Sequence, residues 1–89
     1  MTDVQTGISV TLRYFAAAGA AAGTEQEVLE FRPGTSVRDV VAALADRDPE
    51  LSRVLARCSY LCDGVAVRDL DTTLKSGQTL DVLPPFAGG

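Results

Sequence analysis

The residues of this sequence best suited to chemistry are the last six, Pro84-Pro85-Phe86-Ala87-Gly88-Gly89. Read as a chain end, Gly89 is expected to carry a free α-carboxylate on the least hindered residue available. Gly88 and Gly89 have no Cβ, so the backbone there can thread a narrow slot and adopt dihedrals closed to other residues. Pro84 and Pro85 lack N–H donors and hold φ near a fixed value, so the chain is expected to leave the fold stiff and extended. A stiff stem with a slim tip suits a carboxylate that must reach into another protein's active site. A frayed terminus is the structural alternative. The apolar strand pattern that runs straight into the prolines favours the functional reading.

The remaining candidates for chemistry are sparse. Cys58 and Cys62 stand four apart in a chain without histidine. They cannot assemble a typical zinc site, which takes four N or S ligands, or supply the four thiolates of an iron–sulfur cluster. A redox pair is more often spaced Cys-x-x-Cys. On one strand the two would lie ~13 Å apart, too far to bridge. Reduced, mostly packed thiols are expected, and no bound metal or cofactor. With no nucleophile and base constellation, a self-contained enzyme is the least supported class.

Composition narrows the setting. Eighty-nine residues, 46% of them hydrophobic, make one small domain with one modest core. A formal net charge of −4 argues against nucleic acid, which needs clustered Lys and Arg, and fits basic pockets on partner proteins. No apolar run approaches the ~20 residues of a bilayer span. Residues 1–7 are polar and lack the pattern of a signal peptide, so no membrane association and a cytoplasmic location are expected.

The elements that must position the tail can be read in order. Residues 1–7 are expected to be loose, residues 8–83 to form the domain, and residues 84–89 to form the extended tail. Ile8 to Tyr14 alternates apolar and polar, the mark of a half-buried strand. Phe15 breaks the alternation and starts an apolar surface. Ala16 to Ala22 reads as a short turn-like helix or a loop. Glu25 to Phe31 reads as a second strand, with Glu27, Leu29 and Phe31 on one face. Ser36 and Asp39 form a capping box, and Val37, Val40, Val41 and Leu44 give the helix that follows one apolar stripe. Asp48-Pro49 stops it and can cap a further short helix carrying Leu51, Val54 and Leu55. Ser59 to Cys62 and Val65 to Val67 flank Asp63-Gly64, a strong hairpin signal. Leu70 and Leu74 anchor a turn-rich stretch, and Thr79 to Leu83 is the last strand. One main helix cannot cover both faces of a sheet, so a two-layer α/β arrangement with one open sheet face is expected. The first two strands can form a hairpin, and the last can lie parallel to the first.

With the tail and this order in view, the chain resembles the small subunit of molybdopterin synthase, within the sulfur-carrier group that includes the thiamine-pathway carrier. The resemblance is carried by Leu12-Arg13-Tyr14-Phe15-Ala16, Ala22-Gly23-Thr24, Thr35-Ser36-Val37-Arg38-Asp39-Val40, Leu74-x-x-Gly77 and Leu83-Pro84-Pro85-Phe86-Ala87-Gly88-Gly89. It implies a ubiquitin-like β-grasp fold and fixes the strand order more firmly than periodicity does. The chain departs from the family at Gly19, where a basic residue is usual, at Gln78, usually acidic, and at Phe86, usually smaller.

The resemblance also implies a reaction. An E1-like adenylyltransferase would use ATP to join Gly89 to AMP, a good leaving group. A sulfurtransferase or other persulfide donor would then supply sulfur, leaving a covalent C-terminal thiocarboxylate. In the large subunit of molybdopterin synthase this nucleophile would attack the pterin precursor. Gly89 would carry the sulfur and Gly88 give clearance. Leu83, Pro84, Pro85, Phe86, Ala87 and Val65 would meet the partner, Leu83 and Val65 through apolar contact. Core packing is the alternative for those last two. Asp63, Asp69, Asp71 and Asp81 could steer toward basic partners, or form a solvated face. Rival readings are a carrier for cysteine or thiamine synthesis, a ubiquitin-like modifier joined through Gly89 to lysines, and a passive interaction domain.

Overall fold

The computed structural model describes residues 7–85. The expectations for Met1 to Thr6 and for Phe86, Ala87, Gly88 and Gly89 lie outside the described residues. The chain runs β1 (Ile8–Tyr14), α1 (Ala17–Ala22), β2 (Gln26–Phe31), α2 (Val37–Ala45), α3 (Pro49–Leu55), β3 (Ser59–Cys62), β4 (Val65–Ala66) and β5 (Thr79–Leu83). The strands form one sheet in the order β2-β1-β5-β3-β4. The first two pair antiparallel, with Val10 opposite Leu29. The last strand lies parallel to the first, with Leu12 opposite Leu80. This is the mixed β-grasp sheet, with β1 and β5 at its centre.

Local chemistry explains most boundaries. The Ser36 hydroxyl accepts from the Asp39 N–H, and Asp39 accepts from the Ser36 N–H, closing the capping box. The two other free N–H groups of the first turn of α2 are taken by the loop before β5: Val37 donates to the Thr72 carbonyl and Arg38 to that of Leu70. The turn-rich stretch is thus tied to the start of the main helix. Asp48 caps α3 through the Leu51 N–H, with Pro49 at the first position, where no donor is needed. Asp63 and Gly64 have φ of 49° and 83°, the pair of positive values a two-residue type I′ hairpin requires.

One layer of side chains fills the space between sheet and helices. Val10 and Leu12 of β1, Leu80 and Val82 of β5, Val37, Val40 and Leu44 of α2, and Leu51 of α3 are all but sealed from solvent. Burial of each such side chain stabilises the fold by roughly 1.5–3 kcal/mol. Among the described residues the main helix α2 is joined by two short ones, α3 where Asp48-Pro49 is expected to start a helix and α1 where the sequence leaves helix or loop open. The alanine run forms a real helix because Ala18 is fully buried and α1 packs against α3. Tertiary contact there outweighs the glycines.

Candidate functional site

Because β1 and β5 are parallel, their C-terminal ends share one pole of the domain. Tyr14 stands opposite Val82, and the Phe15 N–H donates to the Val82 carbonyl at 3.1 Å, one residue beyond the strand. A tight turn then carries the chain into α1. Ala16 has φ 50° and ψ −128°, and the Ala18 N–H closes on the Phe15 carbonyl at 3.0 Å. These dihedrals match the first central position of a type II′ turn, which glycine normally fills. An alanine held there stores strain of about 1–3 kcal/mol.

At the same pole β5 ends at Leu83 and the stem begins. Leu83 and Pro84 are half-buried and Pro85 is exposed. The two prolines line a groove of about 230 Å³ with Ala17 of α1 and Arg53, Val54 and Arg57 at the end of α3. The first two residues of the stem thus border a groove shared with α1 and α3. Rings without donors fit such an apolar floor, since they leave no N–H to bury unpaired.

The open sheet face meets this pole. Alternation along each strand sends alternate residues to opposite sides, and the register aligns Gln26, Arg13, Asp81, Leu61 and Ala66 across all five strands. Leu83 and Ser59 form the next row. The Arg13 guanidinium lies 5.2 Å from the centroid of the Phe15 ring, within cation–π range. Its Nε is 3.5 Å from Asp81 Oδ1, an ion-pair distance. That buried oxygen has no hydrogen-bond partner among the described residues. Phe15, Leu61 and Leu83 are all half-buried. The result is a compact mixed patch of Phe15, Arg13, Asp81, Leu61 and Leu83 beside the stem.

Val65 falls elsewhere. It pairs with Cys62, which pairs with core-facing Leu80, so it lies on the helix side of the sheet, at the edge. It is 69% exposed. Val65 and Leu83 therefore sit on opposite faces and do not form one surface. The four aspartates have local work. Asp63 accepts from the Thr79 N–H and the Gln78 amide, Asp69 from the Asp71 N–H, Asp71 pairs with Arg38, and Asp81 with Arg13.

Two departures from the family pattern have structural reasons. A Cβ at Gly19 would lie 3.3 Å from the Tyr14 carbonyl oxygen, a tight contact. Gln78 accepts from the Lys75 N–H and donates to Asp63, so it joins two turns. A carboxylate there could only accept.

The perturbed tyrosines, Glu27 and the cysteines are explained by burial and by their local partners. Burial, with the Glu27 hydrogen bond, pushes the Tyr14 phenol far above its usual range, and burial pushes Tyr60 up to about 12. Tyr14 donates to Glu27 at 2.6 Å and Arg47 to the same oxygen at 2.8 Å, joining β1, β2 and the end of α2. Burial alone would raise Glu27, but these two hydrogen bonds hold it below the usual range. Both cysteines are free; Cys58 precedes β3 and Cys62 ends it, so they do not share a strand. Burial raises both thiols, which keeps them protonated. The Cys58 thiol donates to the Val54 carbonyl. Among the described residues no group of three or more His, Cys, Asp or Glu could hold a metal, and no helix is long and apolar enough to cross a membrane.

A mixed five-stranded sheet over its helices, with a proline stem leaving the central strand, defines a ubiquitin-like β-grasp domain. The ThiS family profile matches residues 12–89, and the chain belongs to that family, the ubiquitin-fold sulfur carriers. Comparison with curated proteins finds no match. Among solved structures, a Pyrococcus furiosus protein described as subunit 1 of molybdopterin converting factor is 26% identical, with a TM-score of 0.80, covering 89% of this chain and 99% of that one. The small archaeal modifier protein 1 of Haloferax volcanii is 27% identical (TM-score 0.78; 91% and 99% covered). That of Methanosarcina acetivorans is 28% identical (TM-score 0.78; 96% and 100% covered).

Proposed function

We propose that the α-carboxyl of Gly89 is the reacting group and that the domain delivers sulfur on it for molybdopterin synthesis. The carboxylate attacks the α-phosphorus of ATP in an E1-like adenylyltransferase, releasing pyrophosphate and leaving an acyl adenylate. The outer sulfur of a protein persulfide displaces AMP, and a second thiol cleaves the acyl disulfide to free the thiocarboxylate. In the large subunit of a molybdopterin synthase the thiocarboxylate sulfur forms a C–S bond to the pterin precursor as an oxygen substituent leaves, and water then cleaves the resulting thioester, returning the Gly89 carboxylate and leaving the sulfur on the pterin. Pocket and acid–base groups belong to the partners, which agrees with protonated cysteines and structural tyrosines in the described residues.

The observation that carries this reading is the delivery of the stem by the central strand to the pole where Phe15, Leu61 and Leu83 offer apolar contact. Leu83, Pro84 and Pro85 form the base of the docking surface, and Phe86, Ala87 and Gly88 run from it to Gly89. Val65 offers a separate contact on the other face. The likeness to the Pyrococcus furiosus protein favours the molybdopterin product. The likeness to two small archaeal modifier proteins favours a second reading, conjugation of Gly89 to lysines of other proteins. Both start from the same adenylate. Reconstitution with an activating enzyme, ATP, a sulfur source and a synthase large subunit separates them. Molybdopterin formed by the intact chain and lost on deletion of Gly88 and Gly89 supports the first. Isopeptide-linked products in cell extract, without molybdopterin, support the second.

A further inference from the structure

The cations at the tail pole are all of one kind. The chain holds seven arginines and a single lysine, Lys75. Arg53 and Arg57 line the stem groove, and Arg13 lies over Phe15 beside it. Arg57 is exposed and pairs with no carboxylate among the described residues, whereas Arg53 pairs with Glu50 one turn earlier in α3. Lys75 sits at the opposite pole, in the turn whose Gln78 precedes the start of β5. The strand alone puts ~13 Å between Thr79 and Leu83. β1 also begins at that far pole, since the Gly77 N–H donates to the Ser9 carbonyl.

This arrangement matters if Gly89 is activated, so the inference rests on the proposed function. An acyl adenylate acylates any neutral amine within reach. Gly89 lies four positions beyond Pro85, a span of at most ~14 Å, and Arg53 and Arg57 line the groove where that span starts. At pH ~8.5 about one per cent of an ordinary lysine amine is neutral, whereas essentially no guanidinium is. A tethered amine would also act at an effective concentration on the order of millimolar.

We infer that Arg53 and Arg57 supply positive charge at the stem without supplying a nucleophile, and so keep the activated terminus from closing on its own domain. The blocked reaction is an aminolysis. The lysine nitrogen attacks the Gly89 carbonyl carbon, a C–N bond forms, the bond to AMP breaks, and the amine loses a proton. The product is a lariat lighter than the free chain by one water.

Arg57→Lys and Arg53→Lys test this, with Arg57→Gln as the control that removes charge without adding an amine. Each full-length protein is incubated with ATP, magnesium and an E1-like activating enzyme, without a sulfur donor, and intact mass is recorded. Hydroxylamine in a parallel sample traps any adenylate as the hydroxamate. The expected result is hydroxamate from all four proteins, and a water-lighter species, linked between residue 57 or 53 and Gly89, only in the lysine variants. Hydroxamate from both lysine variants with no lighter species overturns the inference, as does an equal lighter species in the wild type. Absence of hydroxamate from the wild type instead removes the proposed function on which it rests.

Discussion

Replacing Ala16 by glycine should stabilise the domain. Ala16 holds φ 50° and ψ −128°, where an L-residue stores about 1–3 kcal/mol of strain and glycine almost none. Glycine adds unfolded-state entropy worth about 0.4–1 kcal/mol against folding. The Ala16 side chain is exposed, so little packing is lost. The net gain is about 1 kcal/mol, which moves Tm up by about 5 °C in a domain of this size. Thermal and urea unfolding followed by circular dichroism read this directly. Ala20→Gly, at an exposed position inside α1, serves as the contrast and should cost about 0.5–1 kcal/mol. If Ala16→Gly melts at or below the wild-type temperature while Ala20→Gly behaves as stated, the strain argument is wrong.

Other outcomes follow from the same structure. Both tyrosines are raised by burial, so folded-state stability is full below the ordinary phenol value of about 10 and is lost as pH rises through the folded values. Phenolate absorbance should therefore appear only together with unfolding; an earlier titration in the folded protein would contradict the burial. Glu27 is lowered by its bonds to Tyr14 and Arg47, in spite of its burial. Its contribution is present above the usual value near 4.5 and lost as pH falls through the lower folded value. Glu27→Gln should cost about 1 kcal/mol at neutral pH and show a smaller loss on acidification, measured by urea midpoints across pH. Cys58→Ser and Cys62→Ser should retain sulfur delivery in the reconstituted synthase, because the proposed cargo rides on Gly89; loss of transfer in a folded variant would place the chemistry on a thiol.

Much of the frame was legible because local signals and global fold agree. Ile8 to Tyr14 alternates as written and becomes β1, Ser36 and Asp39 close the capping box, Asp48-Pro49 starts α3, and Asp63-Gly64 forms the hairpin turn. The alanine run stayed open between helix and loop because its helicity depends on burying Ala18, a tertiary fact. The open-face patch was hidden for a similar reason. Arg13 and Asp81 are each outward-facing in their own strands, but only the parallel register of β1 with β5 brings them together. That Val65 and Leu83 face opposite sides of the sheet follows from the parity of the β3–β4 and β3–β5 pairings, which no single strand's sequence displays. Arg53 and Arg57 read as the polar side of a short helix. Nothing in their spacing announced that the proline stem would lie beside them.

In the proposed role the domain presents a main-chain carboxyl for another enzyme to charge. Intact mass after incubation with an activating enzyme, ATP and a persulfide donor tests it most directly. The predicted result is a gain equal to exchange of one oxygen for sulfur, located by fragmentation at Gly89 and absent when Gly88 and Gly89 are deleted. An unchanged mass, or sulfur found on Cys58 or Cys62 instead, would contradict it.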